Sequence, residues 1–292
     1  MIAGRVSVVI PTRHEPYLAQ TVKDLLAKAT DSLEIIVVLD GYWDVTLPAD
    51  PRVKVLHFGS SRGMRAAITA AVQMSTGQYL LKCDAHTMWD QGYDTVLKAD
   101  YHEDNWILVP RRYALDAERW AIDESNPKYP IDYHYLDVAL HGVPWTARRE
   151  IKRDILLDDE MSSQGSAYFL SRKCWDWLGG LDEANFGPFW REMQELGLKC
   201  WLSGGAMKVT KRTWYAHLRK KSRGYSMDTF RAADVERYTH WFFLTDQPFP
   251  NKTRSLEWLL DHFAPVPTWP DSYGFIFDEA KRTLVNPYQV AA

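Results

Sequence analysis

The sequence predicts an α/β fold with a mostly parallel sheet, and three observations carry that expectation. Several strands, among them Val6-Ser7-Val8-Val9-Ile10-Pro11 and Leu33 to Asp40, are apolar almost end to end, as strands covered on both faces are. Segments of helical period separate them, the order expected of crossover connections. Polar residues gather just past the strands: Thr12, Arg13, His14 and Glu15 after the first, Asp40 at the end of the second, Asp84 and His86 after the one that begins near Gly77. Sheets of this kind bind ligands beyond the carboxyl ends of their strands.

The elements follow in order. The first strand stops at Pro11. A helix over about Tyr17 to Ala29 carries Leu18, Val22, Leu25 and Leu26 on one stripe. Leu33 to Asp40 is the second strand and Val53 to Leu56 a shorter third. Gly63 to Met74 reads as a helix, with Gly77 as its cap and the start of the strand into Asp84. Trp106 to Pro110, Ser166 to Leu170 and Lys208 to His217 are further strands; Cys174 to Leu178 and Phe189 to Leu198 are further helices. Residues 111–160 mix charges, prolines and aromatics without a period and read as a long excursion at the site. From about Ser222 helices and aromatics dominate, ending in a proline-rich stretch, 265–270, that reads as stiff and extended. The expected organisation is a main domain over 1–221 and an extension over 222–292 packed on it.

Bulk properties narrow the class. The 292 residues suffice for one large domain or a domain with an appendage. A net charge of −3 supplies no global pull toward nucleic acid or membrane. Three cysteines, Cys83, Cys174 and Cys200, form neither a disulfide framework nor a C-x-x-C metal knuckle, and fit a reducing compartment. No signal-peptide pattern opens the chain, and no apolar run nears the roughly 20 residues of a membrane span, so a cytoplasmic location is expected. Oligomeric state is not encoded legibly. Thirteen tryptophans are many for this length; most must pack, but sugar and base sites also use flat aromatic faces.

Asp84-Ala85-His86 carries the most chemistry. If extended, the segment points a carboxylate and an imidazole the same way, and such a pair at a strand exit can hold Mn2+ or Mg2+. The plainer alternative is a turn in which Asp84 accepts backbone N–H groups. For Asp40 the alternative is likewise a turn cap. Between Lys208 and Arg223 stand seven cationic residues and no acidic one. A loop of that kind beside a metal can pair with phosphate; equally, it can be a solvated basic loop.

Taken together, V-S-V-V-I-P-T-R-H-E-P (6–16), I-I-V-V-L-D-G (35–41), R-G-M-R-A-A (62–67) and S-T-G-Q-Y-L-L-K-C-D-A-H (75–86) resemble the GT-A glycosyltransferases. Within them the chain is similar to family 2 and to the polypeptide N-acetylgalactosaminyltransferases, whose metal motif is also D-x-H. G-S-A-Y-F-L-S-R-K-C-W-D-W-L-G-G-L-D-E (165–183), F-W-R-E-M-Q-E-L-G-L-K-C-W-L-S-G-G (189–205) and W-Y-A-H-L-R-K (214–220) extend the resemblance over about residues 5–220. It implies a Rossmann-like GT-A domain that transfers a sugar from a UDP-sugar. Asp84, His86 and His217 would bind Mn2+, with Mg2+ as the substitute. Pro11, Thr12, Arg13, Glu15, Asp40, Arg62, Arg65, Cys83, Ala85, Gly165, Trp190, Arg219 and Lys220 would form the nucleotide-sugar site, Asp40 reading uracil N3–H and Gly165 admitting the sugar or acceptor to the backbone. Glu192 stands where family 2 carries an E-D pair, here Glu-Met. It is the expected base or sugar-binding carboxylate, with the stereochemical outcome open.

A soluble chain with this motif set also resembles bacteriophage enzymes that glycosylate hydroxymethylpyrimidines in DNA. Arg148, Arg149, Lys152 and Arg153 would contact phosphate, and Trp145 with its aromatic neighbours would stack on a flipped base. Asp154, Asp158, Asp159 and Glu160 oppose that reading, and an envelope or capsular saccharide is the competing acceptor. A nucleotidyltransferase would need a Gly-rich basic loop after the first strand, which P-T-R-H-E-P is not. A non-catalytic nucleotide-sugar binder would lack ligands that are present here.

Overall fold

The computed structural model describes residues 1–43, 46–220 and 229–269, and the backbone of 276–278 and 283–285. Strand β1 (Ile2–Thr12) leads into helix α1 (Leu18–Lys28), then β2 (Leu33–Asp40), β3 (Val53–Phe58), α2 (Met64–Met74), β4 (Gly77–Cys83), β5 (Thr87–Trp89), α3 (Tyr93–Asp100) and β6 (Trp106–Asp116). The 111–160 excursion has structure of its own. It prolongs β6 and adds β7 (Ala121–Ile122), β8 (His134–Leu136), β9 (Gly142–Pro144), α4 (Thr146–Ile151) and β10 (Leu157–Asp159). There follow β11 (Ala167–Ser171), α5 (Arg172–Leu178), α6 (Glu183–Phe186), α7 (Glu192–Leu202) and β12 (Ala206–His217), and then α8 (Thr229–Leu244), α9 (Leu256–Phe263), β13 (Ile276–Asp278) and β14 (Thr283–Val285).

Ten strands make one sheet in the order β10-β12-β6-β11-β4-β1-β2-β3, with β5 added to β12 and β7 to β6. β1 to β4 run parallel, as do β6 and β12, but β11 runs antiparallel to both β4 and β6. The sheet is therefore mixed. Burial on both faces sets an apolar pattern, while strand direction leaves no trace in it. The insertion of β11 brings its amino end, and the carboxyl ends of β1, β2, β4 and β12, to one edge of the sheet.

Local causes are plain. α1 buries Leu18, Thr21, Val22 and Leu25, one stripe of a 3.6-residue period. Gly77 opens β4 instead of capping α2, whose cap is Ser75; a Cβ at Gly77 would lie 2.5 Å from Ser7 Oγ, so the residue is fixed by close packing of β1 on β4. β12 bulges between Thr210 and Trp214 opposite Pro110 and Arg111 of β6. Pro110 has no N–H for the ladder, and the bulge re-aims the rest of β12. α7 starts at Glu192, later than the pattern predicts, because Arg191 sits in the left-handed region at φ 60. Residues 266–269 close a turn, with Trp269 N–H on Val266 O at 3.3 Å, and do not continue as an extended segment; Pro270 lies outside the described residues.

Within the 222–292 segment, α8 packs Tyr238 and Phe243 on Phe186, and α9 packs Trp258 and Phe263 on Trp201 of α7. Residues 222–228, 270–275, 279–282 and 286–292 of that segment lie outside the described residues, as does Lys221 of the basic loop, whose Arg223 is among them. No helix among the described residues is long and apolar enough to cross a membrane.

One buried pair gives this fold a pH signature. Glu160, 1% exposed at the end of β10, faces His134 of β8, Oε1 to Nδ1 at 3.0 Å. Burial, reinforced by Asp132, pushes the Glu160 carboxyl well above its ordinary 4.5. Below that pH the group is neutral in both states. Above it the unfolded chain ionises while the folded chain holds its proton, so stability falls as pH rises toward the elevated folded value. Glu160→Gln removes this liability. Its melting temperature is expected to exceed that of the unaltered protein by about 2 °C or more near pH 8, and to show little difference near pH 4.5. An equal difference at both pH values, read by calorimetry, would contradict the assignment.

Candidate active site

A cleft of about 880 Å³ opens at the shared sheet edge. Its floor is the ends of β1, β2 and β4; its walls are residues 61–64, 164–166, 188–194 and 217–220. Asp84 to His86 form a bend and not an extension of β4. The bend is locked by Asp84 N–H on Ser166 O at 2.9 Å and Thr87 Oγ1 on Asp84 O at 3.0 Å. Beyond it β5 pairs with β12, setting Thr87 opposite His217. Asp84 and His86 thus converge through a turn, with His217 delivered from the far end of the chain.

One donor atom from each of Asp84, His86 and His217 lies within 4.8 Å of the others. Asp84 Oδ2 is 3.1 Å from His217 Nε2 and 3.9 Å from His86 Nε2. Burial alone would raise the Asp84 carboxyl, but Lys82 and then His217 hold it well below the carboxylate range. Burial lowers His217 to about 4 against the pull of Asp84, so its ring is neutral at neutral pH. Glu15 Oε2 sits 2.8 Å from His86 Nδ1 and accepts from Lys220 Nζ at 2.6 Å. A carboxylate on one ring nitrogen fixes the imidazole and leaves the other for a metal. An ionised carboxylate, the neutral His217 ring and the His86 ring held by Glu15 fit a divalent ion of borderline hardness.

Most of the other predicted residues line the same cleft, several in different roles. Pro11, Thr12, Arg13, Arg62, Ala85, Trp190, Arg219 and Lys220 are in its wall. Thr12 Oγ1 meets Tyr42 OH at 2.9 Å, and Arg13 donates to Ser61 Oγ at 3.0 Å. Asp40 accepts from Ser61 Oγ, Arg62 N–H and Gly63 N–H at 2.8, 2.6 and 3.0 Å. It binds the turn before α2, the cap alternative, with little capacity left for a base. Gly165 lines the cleft beside Glu192, and a Cβ there would lie 2.7 Å from Glu192 Oε2.

Arg65 and Cys83 are not in the cleft wall. Arg65 is fully buried, donating to Glu195 and to the Trp190 carbonyl with Phe186 against its guanidinium, so no phosphate reaches it. Cys83 falls between Lys82 and Asp84 on the opposite side of β4, in the core, where burial pushes its thiol up to about 12. The proposed acceptor residues also lie elsewhere. Trp145 is 8% exposed. Arg148 is packed against Trp145, Tyr133 and Phe263 beside Asp158, and Arg149 is tied to the carbonyls of Lys128 and Pro130 and to Glu150.

Glu192 is in the cleft wall, 5% exposed, its Oε1 accepting from Tyr168 OH at 2.8 Å and its Oε2 3.4 Å from Lys82 Nζ. Burial raises its carboxyl, opposed by Lys82. Lys82 and Tyr168 were not singled out in the sequence. The available signal is a lysine inside an apolar strand two residues before Asp84, which period two places on the same face.

Comparison with known proteins bears on the family and the fold. A family model described as glycosyl transferase family 2 matches residues 7–158, more than half of the chain. Polypeptide N-acetylgalactosaminyltransferase 5 of Caenorhabditis elegans is 23% identical over 243 residues, which cover 77% of this chain and 38% of that protein. GalNAc-T7, solved with UDP, GalNAc and Mn2+, superposes with a TM-score of 0.69 at 19% identity over 91% of this chain and 58% of its own. S. aureus TarS 1–349 in complex with UDP-GlcNAc gives 0.54 at 15% identity over 82% and 67%. This chain thus spans about two fifths of the curated relative and under two thirds of GalNAc-T7. The fold of both solved neighbours is the GT-A fold, and the chain belongs to glycosyl transferase family 2.

Proposed function

We propose that this chain is a divalent-metal-dependent transferase that moves a sugar from a UDP-sugar to an acceptor hydroxyl. The observation that carries the reading is the convergence of Asp84, His86 and His217 at the sheet edge, with Arg219 and Lys220 beside them. The site would take Mn2+ more readily than Mg2+, since two of its three donors are imidazole nitrogens. Bound there, the ion would offset the charge of the departing diphosphate. Arg219 and Lys220 would pair with the same phosphates.

Among the described residues four acidic side chains line the cleft, and three have assignments: Asp84 to the metal, Glu15 to His86 and Lys220, Asp40 to the turn before α2. Glu192 remains, with its affinity for a proton raised by burial, and would take the proton of the acceptor hydroxyl. Phe189 and Trp190 in the wall would offer apolar faces to a sugar ring, that of the donor included. Hydroxymethylated DNA loses part of its support, since Trp145, Arg148 and Arg149 are packed or tied down, while Arg153 of the same cluster is exposed. We read 1–221 as the catalytic body and 222–292 as a brace on it. Three free buried cysteines fit a cytoplasmic setting.

The reading is tested by UDP release from UDP-glucose, UDP-galactose, UDP-GlcNAc and UDP-GalNAc, with GDP-mannose as control, in Mn2+ and in EDTA, with saccharides or hydroxymethylcytosine DNA added. Mn2+-dependent release from a UDP-sugar, accelerated by a saccharide, is expected. Acceleration by the DNA alone would restore the other acceptor, and no metal-dependent release would contradict the proposal. Asp84→Asn is expected to abolish release while leaving the melting transition in place. Glu15→Gln is expected to weaken Mn2+ binding about 10- to 100-fold in a calorimetric titration, and unchanged affinity would remove its orienting role. Glu192→Gln is expected to cut transfer by about 100-fold or more with little change in donor KM. A change confined to donor KM would make Glu192 a sugar-binding group.

A further inference from the structure

The groups that the proposed function uses do not account for Lys82. It is 2% exposed, in the middle of the sheet, with β1 on one side and β11 on the other, Val9 and Tyr168 being its neighbours in register. Burying an ammonium costs several kcal/mol unless its donors are all met. They are met. Nζ donates to Asp84 Oδ1 at 2.8 Å and to the Gly165 carbonyl, and stands 3.4 Å from Glu192 Oε2. An ammonium has three donors, and three acceptors surround this one.

The three acceptors belong to three parts of the cleft. Asp84 is in the metal cluster, Gly165 is in the loop before β11, and Glu192 opens α7. Asp84 offers Oδ1 to Lys82 and Oδ2 to His217, so the lysine turns one oxygen away from the histidines and leaves the other toward them. Glu192 is held on its other oxygen by Tyr168, one strand over from Lys82. The carboxylate of the metal cluster and the carboxylate of the sugar side therefore share one counter-ion.

We infer that Lys82 is a positioning residue that ties Asp84 to Glu192 and so sets the metal-binding and proton-accepting groups of the cleft in register. It lines the cleft, but its three donors face Asp84, the Gly165 carbonyl and Glu192, and it acts through the two carboxylates. The inference rests on the transferase reading for the names of those two roles. Its placement argument rests on the hydrogen bonds alone.

The test is Lys82→Met with Lys82→Arg beside it, read by Mn2+ titration of the protein without donor and by UDP release. With Lys82→Met, kcat is expected to fall about 100-fold with donor KM within about threefold, the cost of a misplaced group. Mn2+ affinity is expected to weaken about 3- to 10-fold, since Asp84 loses the group that orients it, an effect only partly offset by removal of a cation beside it. Lys82→Arg is expected to recover part of kcat and part of the Mn2+ affinity. A lysine serving only the fold would, when lost, lower the melting temperature with Mn2+ affinity and kcat of the folded protein unchanged. That result, or full turnover in Lys82→Met, would overturn the inference. If the unaltered protein binds Mn2+ but releases no UDP, the transferase reading fails, and the Mn2+ affinities of the two variants still decide the tie to Asp84. If it binds no Mn2+, both fail.

Discussion

The site depends on one short pairing: three residues of β5 against the end of β12. Asp84 and His217 are 133 positions apart, and closing that distance costs chain entropy. The cost is offset along the whole length of β12, which zips onto β6 from Ala206 to His217 with a bulge opposite Pro110 and Arg111. What arrives at the cleft is a rigid strand end and not a loop. The bend at 84–86, fastened to Ser166, meets it there. The candidate metal ligands stand on two strand ends held in place before any ligand arrives, which would spare an incoming diphosphate part of the ordering cost.

Charge in the cleft is arranged in pairs that leave specific atoms available. Glu15 occupies one nitrogen of His86 and holds Lys220 near the same wall. Lys82 occupies one oxygen each of Asp84 and Glu192. Each pair fixes an orientation as well as offsetting a charge, and each lies at the junction of elements distant in sequence. The aromatic packing of α8 and α9 on α6 and α7 lies behind the wall that carries Glu192.

Much of this was legible in the sequence. Continuous apolar strands ending in polar residues pointed to the sheet edge, and the D-x-H motif with a late histidine named the three side chains that converge there. What was not legible has physical reasons. Strand direction leaves no mark on a strand buried on both faces, so the antiparallel β11 was invisible. Arg65 and Asp40 carry the residue types that bind phosphate and base, but side-chain type does not reveal that a neighbouring carboxylate or turn already holds them. Trp145, Arg148 and Arg149 looked like a nucleic-acid surface because a cationic cluster reads the same whether it is solvated or packed on aromatic rings. Lys82 went unnoticed within an apolar run, although its spacing from Asp84 was readable.

The central claim is that Asp84, His86 and His217 hold an ion that a UDP diphosphate also binds. The most direct measurement is a reciprocal titration: Mn2+ binding with and without UDP, and UDP binding with and without Mn2+. If both ligands meet at this site, each raises the affinity for the other by the same factor, expected to be about tenfold or more, and Asp84→Asn removes the coupling. Independent binding of the two, or coupling that survives in Asp84→Asn, would contradict the account.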